Sequence, residues 1–188
     1  MEEIFSQFSR IGLIVESIIA ECLGLPPNLL QEHNNDRSWD NLAALYYLPA
    51  TDKGTIGVSA HKDISCITLV LQDQVGGLEV EKDGDWIPLP PLEGALLVNI
   101  GDVIQFKSPS HRVLRPEGRS RNSVAFFFNI SADKWIEPLP EFTKKIEEQP
   151  RYRKFLYKEY LQLRKENKMN PPSRVEDEIN LKHYAITT

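Results

Sequence analysis

Between residues 42 and 130 the chain is cut into short pieces. Runs such as "LAALYYL", "SCITLVLQ", "GLEVEK", "DWIPL", "GALLVNI", "DVIQF", "HRVLR" and "SVAFFFNI" alternate with the turn-forming clusters "DKG", "VGG", "KDGD", "PPLEG" and "RPEGRSR". Runs this short fit strands rather than helices, which need about 10–12 residues. Many closely spaced strands with Gly, Pro and Asp between them bury their apolar faces by closing into a sandwich or barrel. The chain is therefore expected to be mainly β with flanking helices. Residues 2 to about 23 form the first of these, an amphipathic helix with Ile4, Phe8, Ile11, Val15, Ile18, Ile19 and Cys22 at three- and four-residue spacing, ending at Gly24. The segment "LPPN" then stops helical structure. From Pro150 the pattern turns helical again, with Tyr152, Phe155, Leu156, Tyr160 and Leu163 on one side, until "NPP" at 170–172. The expected organisation is a helix and linker over 1–41, a β domain over 42–140, and a C-terminal helix and polar tail over 141–188.

Composition removes several classes of function. A chain of 188 residues suits one domain, and its net charge of −5 gives no basic field for nucleic acid or anionic lipid. Two cysteines, Cys22 and Cys66, make no disulfide framework and fit a reducing compartment. The most apolar N-terminal run, "IGLIVESIIAECLGL", is interrupted by Glu16 and Glu21, which suits neither a signal peptide nor a membrane span. The expectation is a cytoplasmic monomer with a small-molecule partner and no nucleic-acid or membrane partner.

Three polar clusters carry candidate chemistry. In "SAHKDISC", His61 and Asp63 stand two residues apart. On one extended strand they project to the same face, followed by Ser65, Ile67, Leu69 and Leu71. Such a pair is either half of a metal site in a barrel mouth or the wet end of a strand. In "SPSHRV", His111 supplies a second imidazole. Two imidazoles and one carboxylate can occupy one face of an octahedral ion and leave positions open, as in non-haem Fe(II) oxygenases. In "RSRNSVAFFFN", Arg121 and Ser123 share a face with Ala125 and Phe127. A guanidinium fork with a hydroxyl beside it is an anchor for a dicarboxylic acid, whereas Arg115 and Arg119 read as loop surface charge.

The order H-x-D, then "GGLEVEKDGDWIPLPPLEGALLVNIGD", then "SHRV", then R-x-S and "FFFN" resembles the plant-type 2-oxoglutarate- and Fe(II)-dependent dioxygenases, from about Leu42 to Leu139. The resemblance implies a double-stranded β-helix (jelly roll). It implies His61, Asp63 and His111 as iron ligands, and Arg121 and Ser123 as the pair that binds the distal carboxylate of 2-oxoglutarate. It also implies Tyr47 of "ALYYLP" as a tyrosine reaching the co-substrate, although Leu45 replaces the family's usual asparagine two residues earlier. Fe(II), 2-oxoglutarate and O2 are the implied reactants, with ascorbate in support. The implied reaction hydroxylates or desaturates a small organic molecule while 2-oxoglutarate is decarboxylated to succinate. The apolar neighbours Ile67, Leu69 and Phe127 either keep such a centre dry or are simply core.

Two departures from the family pattern set up an alternative. The family's usual N-terminal segment is absent from this sequence. The stretch from Asp102 to His111 is also short, with no Asn-Gly turn between "DVIQ" and "FKS". A displaced His111 would make the chain a truncated, catalytically impaired relative that keeps the fold or metal binding. A cupin-like binding module fits the barrel but not the Arg121 and Ser123 anchor.

Overall fold

The computed structural model describes residues 2–104, 108–170 and 179–186. Its elements run α1 (Glu2–Cys22), α2 (Leu29–His33), β1 (Asn41–Tyr47), β2 (Ile56–His61), β3 (Ile67–Gln72), β4 (Leu78–Lys82), β5 (Asp85–Pro88), β6 (Leu97–Ile100), β7 (His111–Leu114), β8 (Arg121–Phe128) and β9 (Trp135–Ile136), then α3 (Pro140–Ile146), β10 (Phe155–Leu156) and α4 (Tyr157–Met169). One compact unit comprises Met1–Phe8 with Asp40–Asn129, and a second Ser9–Trp39 with Ile130–Thr188.

The first unit is a sandwich of two four-stranded sheets, ordered β1-β8-β3-β6 and β2-β7-β4-β5. Every pairing in them is antiparallel. The chain changes sheet at each connection except the β4–β5 hairpin, which is the double-stranded β-helix, or jelly roll. The hairpin turns on Asp83 and Gly84, both at positive φ (55° and 90°), the conformation a two-residue turn of this hand requires.

Antiparallel partners project to one face, so register sorts the first sheet into two surfaces. Ile67 pairs with Phe128 and Leu69 with Phe126, and all four are fully buried. Phe126 is covered by Phe8, stacked at 5.4 Å, and by Phe5, edge-on at 5.1 Å. The opposite surface carries Tyr47, Arg121, Ser123, Ala125, Val70, Thr68 and Asn99.

The structure corrects five expectations. His61 and Asp63 do not lie on one strand with Ile67 and Leu69: β2 ends at His61, and residues 62–66 form a loop before β3. The loop breaks away because Cys66 N–H donates to Phe128 O (3.1 Å) and Gly101 N–H donates to Cys66 O (2.9 Å). Leu71, expected on the inward face, is 47% exposed. Asp102–Ile104, the first part of the expected strand "DVIQF", is a 3-10 turn, and Gln105 and Phe106 lie outside the described residues. The C-terminal helix starts at Tyr157, because Phe155 and Leu156 pair with Ile136 and Trp135 instead. In α1, Phe8 and Ile19 are buried as expected, but Ile4 and Ile18 are exposed and Glu16 takes a buried place, accepting from Asn34 Nδ2 at 3.0 Å.

Phe126→Ala should lower the unfolding free energy by about 3–5 kcal/mol, the range for removing a buried aromatic ring. Denaturant unfolding followed by circular dichroism measures it; a loss under about 1 kcal/mol would show that this face is not the barrel's main core.

Candidate metal centre and carboxylate anchor

β2 and β7 pair so that His61 stands opposite His111, with ring centroids 4.3 Å apart. The pairing is irregular between Val58 and His61, a local slip of the kind that re-aims side chains near sites. The shortened segment therefore does not displace His111. Each imidazole has its Nδ1 against a backbone carbonyl two residues back, His61 with Ser59 O (2.8 Å) and His111 with Pro109 O (3.3 Å). With Nδ1–H donating, Nε2 keeps its lone pair for a metal.

Asp63 reaches the same point from the 62–66 loop. Its Oδ1 lies 3.5 Å from His61 Nε2 and 3.7 Å from His111 Nε2. One ligand atom from each of the three residues falls within 4.8 Å of the others, which makes them a set able to hold one cation. Burial drives the Asp63 pKa up, yet the hydrogen bond from His61, the charge at His111 and the Thr68 hydroxyl outweigh it and lower the value to about 2. Burial also lowers the His111 pKa, against the pull of Asp63. At neutral pH the set thus presents an anionic oxygen and a neutral imidazole, the forms that metals bind. The donor set fits a divalent transition ion such as Fe(II).

The loop is seated by a close approach. Asp102 N–H donates to Asp63 O at 2.8 Å, and a Cβ on Gly101 would lie 1.9 Å from Ser65 O and 3.2 Å from Asp63 O. Only glycine fits there.

Arg121 sits on β8 with 1% exposure. Its Nη1 donates to Ser123 Oγ (3.0 Å) and its Nη2 to Gln72 Oε1 (2.9 Å), while Nε is buried with no hydrogen-bond partner among the described residues. The guanidinium carbon lies 4.9 Å from the centre of the Tyr47 ring, and Tyr47 is Arg121's partner in the β1–β8 register. Among the described residues no carboxylate comes within ion-pair distance of Arg121. Arg115, by contrast, is structural: it donates to the carbonyls of Leu48 and Pro49.

The structure brings together His61, Asp63 and His111 as one group, and Tyr47, Arg121 and Ser123 as another. Ile67 and Leu69 do not belong to this surface; they face the other way, and only Phe127 of the three apolar neighbours shares it, opposite Thr68. The apolar residues packed between the sheets are Leu45, Tyr47, Val58, Leu78, Leu89, Leu97 and Val113. Sequence reading missed Thr68, Asn99 and Gln72. The available signal was a polar residue inside an otherwise apolar strand, as in "ITLVLQ" and "LLVNI".

The family model for the 2OG-Fe(II) oxygenase superfamily matches residues 38–130, the span that holds every residue of both groups. The chain belongs to this superfamily. It is 43% identical over 115 residues to feruloyl CoA ortho-hydroxylase 1 of Arabidopsis thaliana, covering 57% of this chain and 32% of that one. The crystal structure of the dioxygenase for auxin oxidation in rice superposes with a TM-score of 0.79 at 28% identity, over 96% of this chain and 61% of that chain. The structure of JOX2 in complex with 2OG, Fe and JA gives 0.77 at 30% identity, over 85% and 50%. In each case this chain spans only part of its relative's length. Among the described residues no helix is long and apolar enough to cross a membrane.

Gly101→Ala should push the loop that carries Asp63 and weaken Co(II) binding by roughly tenfold or more, as loss of outer support for metal ligands does. Titration followed by visible absorption tests this; affinity equal to the parent's would show that the loop absorbs the clash without moving Asp63.

Proposed function

We propose that this chain carries the iron and co-substrate sites of a 2-oxoglutarate-dependent dioxygenase that oxidises a small organic molecule, by hydroxylation or desaturation, and converts 2-oxoglutarate to succinate and CO2. The observation that carries the reading is Arg121: a buried cation whose hydrogen bonds among the described residues go to neutral groups, with only a longer-range attraction to the Asp73 carboxylate, in the same barrel as a metal-ready His-Asp-His set. A buried charge left without a counter-charge in direct contact is costly. The far carboxylate of 2-oxoglutarate supplies that counter-charge.

His61, Asp63 and His111 are the residues that would hold Fe(II), through His61 Nε2, Asp63 Oδ1 and His111 Nε2. When bound, the iron supplies the activation of O2 that no side chain here can provide. Arg121 and Ser123 orient the co-substrate by gripping its distal carboxylate, with Gln72 giving up its present bond to Nη2. Tyr47 fixes the guanidinium from one face, and Leu45, Val58, Leu97 and Val113 limit water around it. The solved JOX2 structure, which holds 2OG and Fe together, supports the same pairing here. Of the two departures behind the alternative of an impaired relative, the displaced His111 finds no support in the β2–β7 register.

The test is succinate release with Fe(II), 2-oxoglutarate, O2 and ascorbate, which uncoupled turnover allows without the organic substrate. His61→Ala or Asp63→Ala should abolish stoichiometric anaerobic iron binding and succinate release together. No release from the parent chain with iron bound would overturn the dioxygenase reading.

Arg121→Lys should weaken 2-oxoglutarate binding more than tenfold. The charge stays but the two-pronged geometry goes, at a cost of roughly 1.5–3 kcal/mol. Isothermal titration of the metal-loaded protein measures it, and equal affinities would remove Arg121 from the site.

A further inference from the structure

We propose that Thr68 and Asn99 are positioning residues that take one oxygen of the Asp63 carboxylate out of play, so that only the other is offered to the metal. The inference rests on reading His61, Asp63 and His111 as metal ligands, and goes beyond it by assigning a role to two residues outside that set.

The two carboxylate oxygens of Asp63 have separate surroundings. Oδ1 faces both histidine Nε2 atoms, at 3.5 and 3.7 Å. Oδ2 faces neither; it accepts from Thr68 Oγ1 at 2.7 Å and from Asn99 Nδ2 at 2.8 Å. Thr68 and Asn99 stand directly opposite each other on β3 and β6, so their side chains reach Oδ2 from adjacent strands of one sheet. All three residues are buried, with exposures of 6% for Asp63, 3% for Thr68 and 8% for Asn99.

Donor counting fixes the direction of the network. Thr68 has a single hydroxyl hydrogen, and the ionised carboxylate accepts only. That hydrogen goes to Oδ2, so Ser65 Oγ, 2.9 Å from Thr68 Oγ1, must be the donor in the second bond. The chain Ser65 O–H to Thr68 O–H to Asp63 runs one way, and each bond polarises the next.

Asn99 adds an independent sign of function. Its Oδ1 is buried with no hydrogen-bond partner among the described residues. An idle buried acceptor costs stability, and an apolar residue would avoid the cost. What the amide provides in exchange is the bond to Asp63.

The consequence concerns the number of positions left on a six-coordinate ion. A carboxylate with both oxygens free can grip a cation with both. Two imidazoles and one carboxylate oxygen leave a whole face open. A second Asp63 oxygen would compete for the places that the 2-oxo and carboxylate oxygens of 2-oxoglutarate need. Thr68 and Asn99 are thus assigned to co-substrate chelation, not only to metal affinity.

The experiment uses the full chain with Thr68→Val, Asn99→Leu and Thr68→Ser, each saturated with Co(II) under anaerobic conditions. Affinity is measured for 2-oxoglutarate and, in parallel, for glutarate, which offers Arg121 the same far carboxylate but has no 2-oxo group. Thr68→Val and Asn99→Leu should each weaken 2-oxoglutarate binding by about tenfold and change the Co(II) visible spectrum, with glutarate affinity and unfolding midpoint held. Thr68→Ser, which keeps the hydroxyl, should match the parent. Parent-like 2-oxoglutarate affinity and spectrum in both apolar variants would overturn the proposal. An equal loss for both ligands would also overturn it, as the mark of a merely structural role. A parent chain that binds no Co(II) would overturn the metal reading itself, a result distinct from either.

Discussion

The loop that carries the chain from β2 to β3 is the constraint on which the site depends. Three backbone hydrogen bonds seat it: Asp102 N–H to Asp63 O, Gly101 N–H to Cys66 O, and Cys66 N–H to Phe128 O. They tie the loop to the ends of β6 and β8, which belong to the opposite sheet from His61 and His111. Asp63 is therefore delivered to the histidines by the sheet that they do not belong to. A His-x-Asp spacing alone cannot do this, because an unbroken strand would have carried Asp63 past them along β2. The absence of a side chain at Gly101 permits the approach.

The first sheet divides its labour by alternation. Its outward surface buries Ile67, Leu69, Phe126 and Phe128 to zero exposure, and this is where stability comes from. Its inward surface holds Thr68, Asn99, Arg121 and Ser123, groups whose burial is costly unless each polar atom is met. Most are met, Thr68 and Asn99 by Asp63 and Arg121 by Ser123 and Gln72. Among the described residues the exceptions on this surface are Arg121 Nε and Asn99 Oδ1, which mark the two ends of the candidate site. Buried polar atoms left idle inside an otherwise satisfied core are expected where a ligand or a chemical role supplies the missing term.

Much of this was legible in the sequence, and the losses have physical causes. The alternation in "RSRNSVAFF" placed Arg121, Ser123 and Ala125 on one face because β8 is long and unbroken. The β4–β5 hairpin followed from "KDGD", whose turn chemistry is local. The break between His61 and Ile67 was not legible, because Ile64, Ser65 and Cys66 include no turn-forming Gly or Pro and read as a continuing strand. Pairing to Phe128 and Gly101, far along the chain, overrides that local preference. The same error put Ile67 and Leu69 on the wrong face and hid Thr68. Phe155 and Leu156 fit a helical pattern until their pairing with β9 claims them. In each case a long-range hydrogen bond decided what periodicity left open.

That error also shows why site and core cannot vary independently. Thr68 and Gln72 lie four residues apart on β3, about 13 Å of extended backbone. The first bonds Asp63 and the second bonds Arg121. β3 thus sets the spacing between the metal set and the carboxylate anchor, much as a ruler would. Sliding it by one residue against β8 would turn Thr68 and Gln72 outward and bring Ile67, Leu69 and Leu71 into the lumen. The Phe126 and Phe128 contacts that stabilise the outer surface would be lost in the same step. The register that buries the apolar outer surface is therefore the one that assembles the polar site, and the fold itself fixes the distance between its two halves.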